Sequence, residues 1–238
     1  EFLVKSAISI AKKFNISPFV VGITIVSFGT SAPELMVSLQ ATFDGATGLA
    51  IGNVIGSNIA NIGLVLGLTV LVKPIIVEKS KYVFSAWFML ISALLFSILL
   101  YDGNISFTDG LLLVLGLLIF LLFSFKYDKS QDVEDDFVEK GILTTLLFFV
   151  LGSVGLYFGS DIFVNNAICI AKDMGVSEFV IGITIVAFGT SLPELVTSIV
   201  AALRNQNSIS IGNLIGSNIL NIFAVIGITS LIQPLQQN

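Results

Sequence analysis

Apolar residues fill long stretches of the chain, and polar residues gather between them. These stretches are long enough to cross the roughly 30 Å hydrocarbon layer as helices. They predict seven membrane helices, near Ser17 to Phe43, Gly48 to Val72, Val83 to Tyr101, Phe107 to Phe125, Gly141 to Ala167, Val176 to Leu203 and Ser208 to Ile232. A shorter piece, Glu1 to Lys13, is typical of the tail of a further helix. The pattern indicates an all-α polytopic membrane protein.

Composition supports this class of protein. Hydrophobic residues make up 55% of the chain and charged residues 11%, and the mean hydropathy is +1.00, which is too apolar for a soluble domain. The net charge of −5 comes mostly from one segment, 126–140, so it describes a loop and not a binding surface. No basic cluster indicates a nucleic-acid partner. The single cysteine, Cys169, excludes an intrachain disulfide, and the absence of histidine removes the usual zinc ligand and general base.

The two ends of the chain repeat each other. Sliding the sequence by 160 residues aligns Glu1 to Ile76 with Asp161 to Gln236 without a gap, and about half of the positions are identical. The identities concentrate in GITIV, FGTS, PEL, IGN and IGSNI. The chain is therefore a tandem duplication.

The two copies are predicted to cross the membrane in opposite directions. Four predicted helices separate the one with Glu34 from the one with Glu194, so the two enter from opposite sides. Most lysines fall in or beside alternate connectors, which are cytoplasmic by the positive-inside rule. We expect inverted repeats at 1–125 and 141–238, joined by an acidic cytoplasmic loop at 126–140. Each copy lacks helices that the other has, so we also expect a ten-helix protein trimmed at both ends.

Two acidic residues lie inside predicted membrane helices. Such a residue costs roughly 2.5 to 3.5 kcal/mol on insertion scales and normally faces a cavity, a partner or an ion. Helical spacing puts hydroxyl residues on the same face as each acid, and the next helix adds a stripe of Asn and Ser. The members of these stripes are Ser27, Thr30, Ser31, Glu34 and Ser38, then Asn53, Ser57 and Asn61, and in the second copy Thr190, Ser191, Glu194 and Ser198, then Asn213, Ser217 and Asn221. The glycines in these motifs are equally consistent with close helix packing.

A proline precedes each of the two acids. Pro33 and Pro193 should kink or break their helices and free backbone carbonyls near Ser27, Gly29, Ala187 and Gly189. Broken helices at the interface of inverted repeats hold ions in transporters. Two carboxylates with hydroxyl, amide and carbonyl oxygens suit hard cations such as Ca²⁺ or Na⁺. The negative charge of the site excludes anions.

At these motifs the chain resembles a known family. GTSAPEL with GNVIGSNIANI, and GTSLPEL with GNLIGSNILNI, resemble the two alpha repeats of the cation/calcium exchanger superfamily, nearest to prokaryotic sodium/calcium antiporters. The resemblance covers essentially the whole chain. It implies a ten-helix exchanger fold, transport of Ca²⁺ and Na⁺ without an organic cofactor, and residence in the lipid bilayer of a prokaryotic cell membrane.

The resemblance also implies an ion-binding role for particular residues. These are Glu34 and Glu194, the hydroxyl residues Thr30, Ser31, Thr190 and Ser191, the carbonyls of Ser27 and Ala187, and Ser57, Asn61, Ser217 and Asn221. Some relatives, including potassium-dependent exchangers, have Asp at the last of these positions. This chain has Asn at both equivalents, which leaves two carboxylates instead of three, argues against potassium co-transport and leaves the sodium stoichiometry open.

The function predicted from these residues is transport and not enzymatic catalysis. We expect a secondary antiporter, acting as a monomer, that exchanges Na⁺ for Ca²⁺ by alternating access at a midplane site. A proton/calcium exchanger is the close alternative, because buried carboxylates can take up protons in place of sodium. A cation channel is the alternative of another class; channels usually line their pores by symmetric oligomerisation, whereas here one chain supplies two opposed half-sites.

Overall fold

The computed structural model describes residues 1–76, 79–126, 141–175 and 187–236, and most of them are helical. In chain order the helices are α1 (Phe2–Phe14), α2 (Pro18–Thr30), α3 (Ala32–Phe43), α4 (Thr47–Val72), α5 (Lys79–Leu99), α6 (Phe107–Lys126), α7 (Ile142–Asp173), α8 (Ala187–Thr190), α9 (Leu192–Leu203) and α10 (Asn207–Ile232). A single 3₁₀ turn, Leu100–Asp102, follows α5.

Several of these helices are long and apolar enough to cross a membrane. In the described part of the chain five helices qualify, namely α4, α5, α6, α7 and α10, and α2 with α3 forms a sixth, bent span. The predicted boundaries agree to within a few residues except for α7, which extends past the predicted end at Ala167 to Asp173. Residues 176–186 of the predicted sixth helix and residues 127–140 of the acidic segment lie outside the described residues.

The order of the spans gives the two repeats opposite orientations. Four spans, α4 to α7, lie between α3 and α9 along the chain. An even number of intervening crossings means that α3 and α9 run through the membrane in opposite directions. The two repeats that contain α3 and α9 are therefore inverted relative to each other.

Both acid-bearing helices are broken, as their prolines predict. The break in the first copy is at Ser31, where α2 and α3 meet at 43°. The equivalent break separates α8 from α9 at Ser191. Proline lies in the first turn of α3 and of α9, where a missing N–H costs no hydrogen bond. Each break therefore places the N-terminus of a half-helix inside the protein.

Within the described residues, three stretches of π-helix interrupt the α-helices. They span Gly22–Val26 in α2, Asn61–Leu66 in α4 and Asn221–Ile226 in α10. A π turn changes the hydrogen-bonding register and is frequent at functional sites. Two of the three begin at an asparagine of the predicted ligand set, Asn61 and Asn221. Helical periodicity alone does not predict these local changes.

Helix α10 lies at the centre of the protein. In its most apolar window 83% of the residues are buried, against 6% in α7. Glycines allow α10 to approach α2: a Cβ on Gly212 would lie only 2.7 Å from the backbone oxygen of Phe19, and one on Gly22 only 2.9 Å from that of Ile209. This close contact joins the first repeat to the second.

A two-stranded sheet closes one end of the bundle. Strand β1 (Asn104–Ile105) pairs antiparallel with β2 (Leu235–Gln236), so that Ile105 faces Leu235 in register. Thr47, the first residue of α4, exchanges two 3.1 Å hydrogen bonds with the backbone of Gln236. The chain after α10 is thereby tied to both the first repeat and the α5–α6 connection.

Candidate ion-binding site

The two acidic residues lie in the first turn of α3 and of α9. Glu34 and Glu194 are both 0% exposed. The N-terminus of a half-helix carries partial positive charge and unpaired N–H groups, which favour a carboxylate there. Ser31, three residues before Glu34, donates a hydrogen bond to Glu194, so the two acids lie in the same part of the interior. The fold thus brings two acidic side chains from opposite repeats into one buried region.

Hydrogen bonds from the first repeat reach the acid of the second. The Ser31 hydroxyl donates to Glu194 Oε1 at 2.9 Å. The same oxygen accepts a hydrogen bond at 3.3 Å from Ser217 of its own repeat. Thr30 donates its hydroxyl to Asn213 Oδ1 at 3.0 Å. The break at Ser31 therefore faces α9 and α10. Between α4 and α8, the hydroxyls of Ser57 and Thr190 share a hydrogen bond at 3.1 Å.

The carboxylates of Glu34 and Glu194 differ in their hydrogen bonds. Within the part of the chain that the structure describes, neither carboxylate oxygen of Glu34 has a hydrogen-bond partner, and Oε2 of Glu194 has none. Both amide atoms of Asn61 and the Ser191 hydroxyl, all buried, also lack partners. Buried carboxylates without partners are strongly unfavourable, and buried polar atoms are normally paired. These oxygen atoms are therefore suited to coordinate a cation.

Two equivalent asparagines hold the acid-bearing helices in place. Asn53 donates to the backbone oxygen of Glu34 at 3.1 Å and to Ser38 Oγ at 3.0 Å. Asn213 makes the same pair of bonds in the second repeat, to Glu194 O at 3.4 Å and to Ser198 Oγ at 3.2 Å. Each amide therefore binds the backbone of an acid and a serine one turn further along the same helix, so Asn53 and Asn213 position the acids.

One predicted carbonyl is not free. The backbone oxygen of Ser27 accepts the N–H of Ser31 at 2.8 Å and the hydroxyl of Thr30 at 3.2 Å. Our expectation that Pro33 frees this carbonyl is therefore wrong, because the N–H that proline lacks would have paired with Gly29, four residues earlier. The equivalent residue, Ala187, is the first residue of α8.

A pair of interface residues is missing from the predicted set. Asn58 donates to the backbone oxygen of Asn218 at 3.2 Å and accepts from Asn221 Nδ2 at 3.1 Å. Asn218 donates instead to the backbone oxygen of Leu214 at 2.8 Å. Asn58 and Asn218 are the same residue of the two repeats, 160 positions apart. Their identity in both GSN motifs was the only available signal.

The atoms that could bind a cation at this site are oxygens. The described residues contain no group of three or more His, Cys, Asp or Glu side chains that could hold a metal. Two carboxylates with neutral hydroxyl and amide oxygens fit a hard cation that exchanges readily better than a tightly bound transition metal.

A family profile and individual relatives indicate the same protein family. The family profile described as "Sodium/calcium exchanger protein" matches residues 1–126 and 144–238. The putative antiporter CaxA of Alkalimonas amylolytica is 38% identical over 97% of this chain and 75% of its own length. The sodium/calcium exchanger MaX1 of Methanosarcina acetivorans is 36% identical over 99% of this chain and 79% of its own length.

A solved structure agrees with the fold. The sodium-calcium exchanger NCX_Mj, soaked with zero Na⁺ and Ca²⁺, superposes with a TM-score of 0.85 at 38% identity, over 100% of this chain and 78% of that one. The likeness extends over both repeats. The chain is an integral membrane protein that belongs to the sodium/calcium exchanger family.

Proposed function

We propose that this protein is a secondary antiporter that exchanges Na⁺ for Ca²⁺ across the plasma membrane and works as a monomer. The observation that carries the proposal is the burial of Glu34 and Glu194, which come from inverted repeats. Three of their four carboxylate oxygens have no hydrogen-bond partner among the residues that the structure describes. Related proteins are named sodium/calcium exchangers, and one of them has this fold.

The ions are proposed to bind between the two half-helices. Both carboxylates contribute, with the hydroxyls of Thr30, Ser31, Thr190 and Ser191, and with Ser57, Asn61, Ser217 and Asn221. The carbonyls of Ser27 and Ala187 complete the proposed set, and Ser27 would have to give up the hydroxyl of Thr30 to bind an ion. The binding residues come from both repeats, 1–125 and 141–238, with the segment 126–140 as a cytoplasmic loop between them.

Charge couples the two fluxes. Without ions the site exposes two unneutralised carboxylates, which are costly to move against hydrocarbon. One Ca²⁺ or a set of Na⁺ removes that cost. Only the loaded protein should therefore rock one repeat bundle against the other and open the site to the opposite face.

The direct test is calcium transport by the full chain in proteoliposomes. An outward sodium gradient should drive uptake of radioactive Ca²⁺, and Glu34→Gln or Glu194→Gln should abolish it. Asp44→Asn, the same chemical change at an exposed acid, should leave uptake unchanged. Full exchange in either Glu variant would contradict the proposal.

Two further arms separate the alternatives. If a proton gradient without sodium drives calcium as well as a sodium gradient does, the protein is a proton/calcium exchanger. If sodium on the opposite side leaves calcium flux unchanged, the protein behaves as a channel. We expect opposite-side sodium to accelerate the flux and a proton gradient alone to give little.

A further inference from the structure

Asn58 lies where the two repeats meet, although it is outside the predicted ligand set. It belongs to α4, and its side-chain hydrogen bonds cross to α10 of the other repeat. Its Nδ2 donates to the backbone oxygen of Asn218 at 3.2 Å, and its Oδ1 accepts from Asn221 Nδ2 at 3.1 Å. Asn58 therefore contacts a residue of the proposed ligand set, Asn221, from the opposite repeat.

These two hydrogen bonds determine which way two amides face. A backbone carbonyl can only accept, so Asn58 must present its nitrogen to the oxygen of Asn218. The oxygen of Asn58 then faces Asn221, which must present its own nitrogen. Because a carboxamide is planar, fixing the nitrogen of Asn221 also fixes the direction of its oxygen. One backbone carbonyl of α10 thus sets the orientation of Asn221 through Asn58.

The remaining oxygen of Asn221 is available to an ion. Asn221 is 0% exposed, and its Oδ1 has no hydrogen-bond partner among the described residues. Ser217 lies four residues earlier on the same face of α10, and its hydroxyl donates to Glu194. Hard cations prefer neutral and charged oxygen ligands in such combinations. Asn58 therefore leaves an oxygen, and not a nitrogen, unpaired on the face of α10 that contacts Glu194.

The equivalent amide of the first repeat is not held in this way. Asn218, which is equivalent to Asn58, donates to the backbone oxygen of Leu214 within its own helix at 2.8 Å. Asn61 is equivalent to Asn221, and neither of its amide atoms has a hydrogen-bond partner in the described part of the chain. The repeats thus differ in structure at this pair, although both have asparagine at both positions. This difference provides an internal comparison for the role of Asn58.

Building on the exchange activity proposed above, we propose that Asn58 is a positioning residue of the ion site. It does not bind the ion but holds the amide of Asn221 with its oxygen free for coordination. A ligand that is already oriented need not be ordered when the ion binds, and ordering one side chain costs the equivalent of about 2- to 10-fold in Kd. Asn58 thereby raises the affinity of the site through Asn221.

The first measurement is calcium binding to the purified full chain by titration. Asn58→Ala should raise the Kd for Ca²⁺ about 2- to 10-fold. In proteoliposomes the calcium concentration for half-maximal sodium-driven uptake should rise similarly, while the maximal rate stays close to that of the wild type. Asn218→Ala removes the equivalent side chain, whose hydrogen bond goes to Leu214, and should leave the Kd close to the wild-type value. Equal losses of affinity in the two variants would overturn the inference.

The second measurement asks whether Asn58 acts through Asn221. In an Asn221→Ala background the oriented amide is gone, so adding Asn58→Ala should lower calcium affinity no further. A purely structural role for Asn58 would give the same loss of affinity in both backgrounds, and that result would overturn the inference. Asn58→Leu removes the same hydrogen bonds and fills a similar volume, so it should give the same pattern. If neither variant of Asn58 folds, its role is structural and the inference also fails.

The outcomes separate this inference from the proposed function. If the wild-type protein binds Ca²⁺ and shows sodium-driven flux, but the losses in the double variant are additive, the role of Asn58 is overturned and exchange stays intact. If the wild-type protein shows neither calcium binding nor sodium-driven flux, both are overturned.

Discussion

Replacing Glu34 by glutamine should make the ion-free protein more stable and remove its response to calcium. Glu34 is 0% exposed, and neither carboxylate oxygen has a hydrogen-bond partner among the described residues. A buried charge in this state costs several kcal/mol, whereas a neutral amide of the same shape costs about 1–3 kcal/mol. We therefore expect Glu34→Gln to raise the free energy of unfolding in chelator by about 1–3 kcal/mol.

The stabilisation of the folded protein by Ca²⁺ should be lost in Glu34→Gln, although its stability without ions rises. Ligand at 100 times its dissociation constant stabilises a folded protein by about 2.7 kcal/mol. The wild-type protein should show this gain, and Glu34→Gln should lose it because one of the two charges that balance Ca²⁺ is gone. Each kcal/mol corresponds to about 2–4 °C in Tm for a domain of this size.

The assay is thermal unfolding in detergent, with chelator and then with saturating Ca²⁺. Asp44→Asn is the matched control, because Asp44 is exposed at the end of α3 and its carboxylate accepts only from the Gln40 side chain among the hydrogen bonds found. It should behave as wild type in both conditions. A Glu34→Gln protein that is less stable in chelator and still stabilised by Ca²⁺ would refute the reasoning.

Two other substitutions test the packing and the support of the site. Gly212→Ala places a Cβ 2.7 Å from the backbone oxygen of Phe19, so Tm should fall by the equivalent of about 1–3 kcal/mol. The control Gly63→Ala, at an exposed site with no atom within 4 Å of the added Cβ, should have little effect. Equal Tm values for the two variants would contradict the close approach of α10 to α2. Asn213→Ala removes the hydrogen bonds to Glu194 O and Ser198 Oγ, so the free energy of unfolding should fall by about 1–3 kcal/mol. Calcium binding, measured by titration, should also be weaker. Unchanged binding would mean that Asn213 does not position the acid.

The helices and the two acids were predictable because their signals are local. Apolar runs of membrane length give the spans, and Pro33 and Pro193 give the breaks in the helices with Glu34 and Glu194. The offset of 160 residues identifies the two repeats, and the four predicted helices between those of Glu34 and Glu194 give them opposite orientations without any structural information.

The remainder of the site depends on tertiary contacts. The roles of Asn58 and Asn218 depend on how the two repeats meet, and that contact is not encoded in the spacing of either motif. The π-helical segments that begin at Asn61 and Asn221 are likewise set by packing. Helical spacing also treats the two acids as equivalent, whereas only Glu194 receives hydroxyl hydrogen bonds.

The most direct test of the central claim is equilibrium binding of radioactive Ca²⁺ to the purified full chain. The claim is that Glu34 and Glu194 form a single site that Na⁺ and Ca²⁺ occupy in turn. We predict one Ca²⁺ bound per chain, displaced by Na⁺ with more than first-order dependence, and no such binding in Glu34→Gln or Glu194→Gln. Calcium that stays bound in either variant, or that sodium fails to displace, would contradict the account.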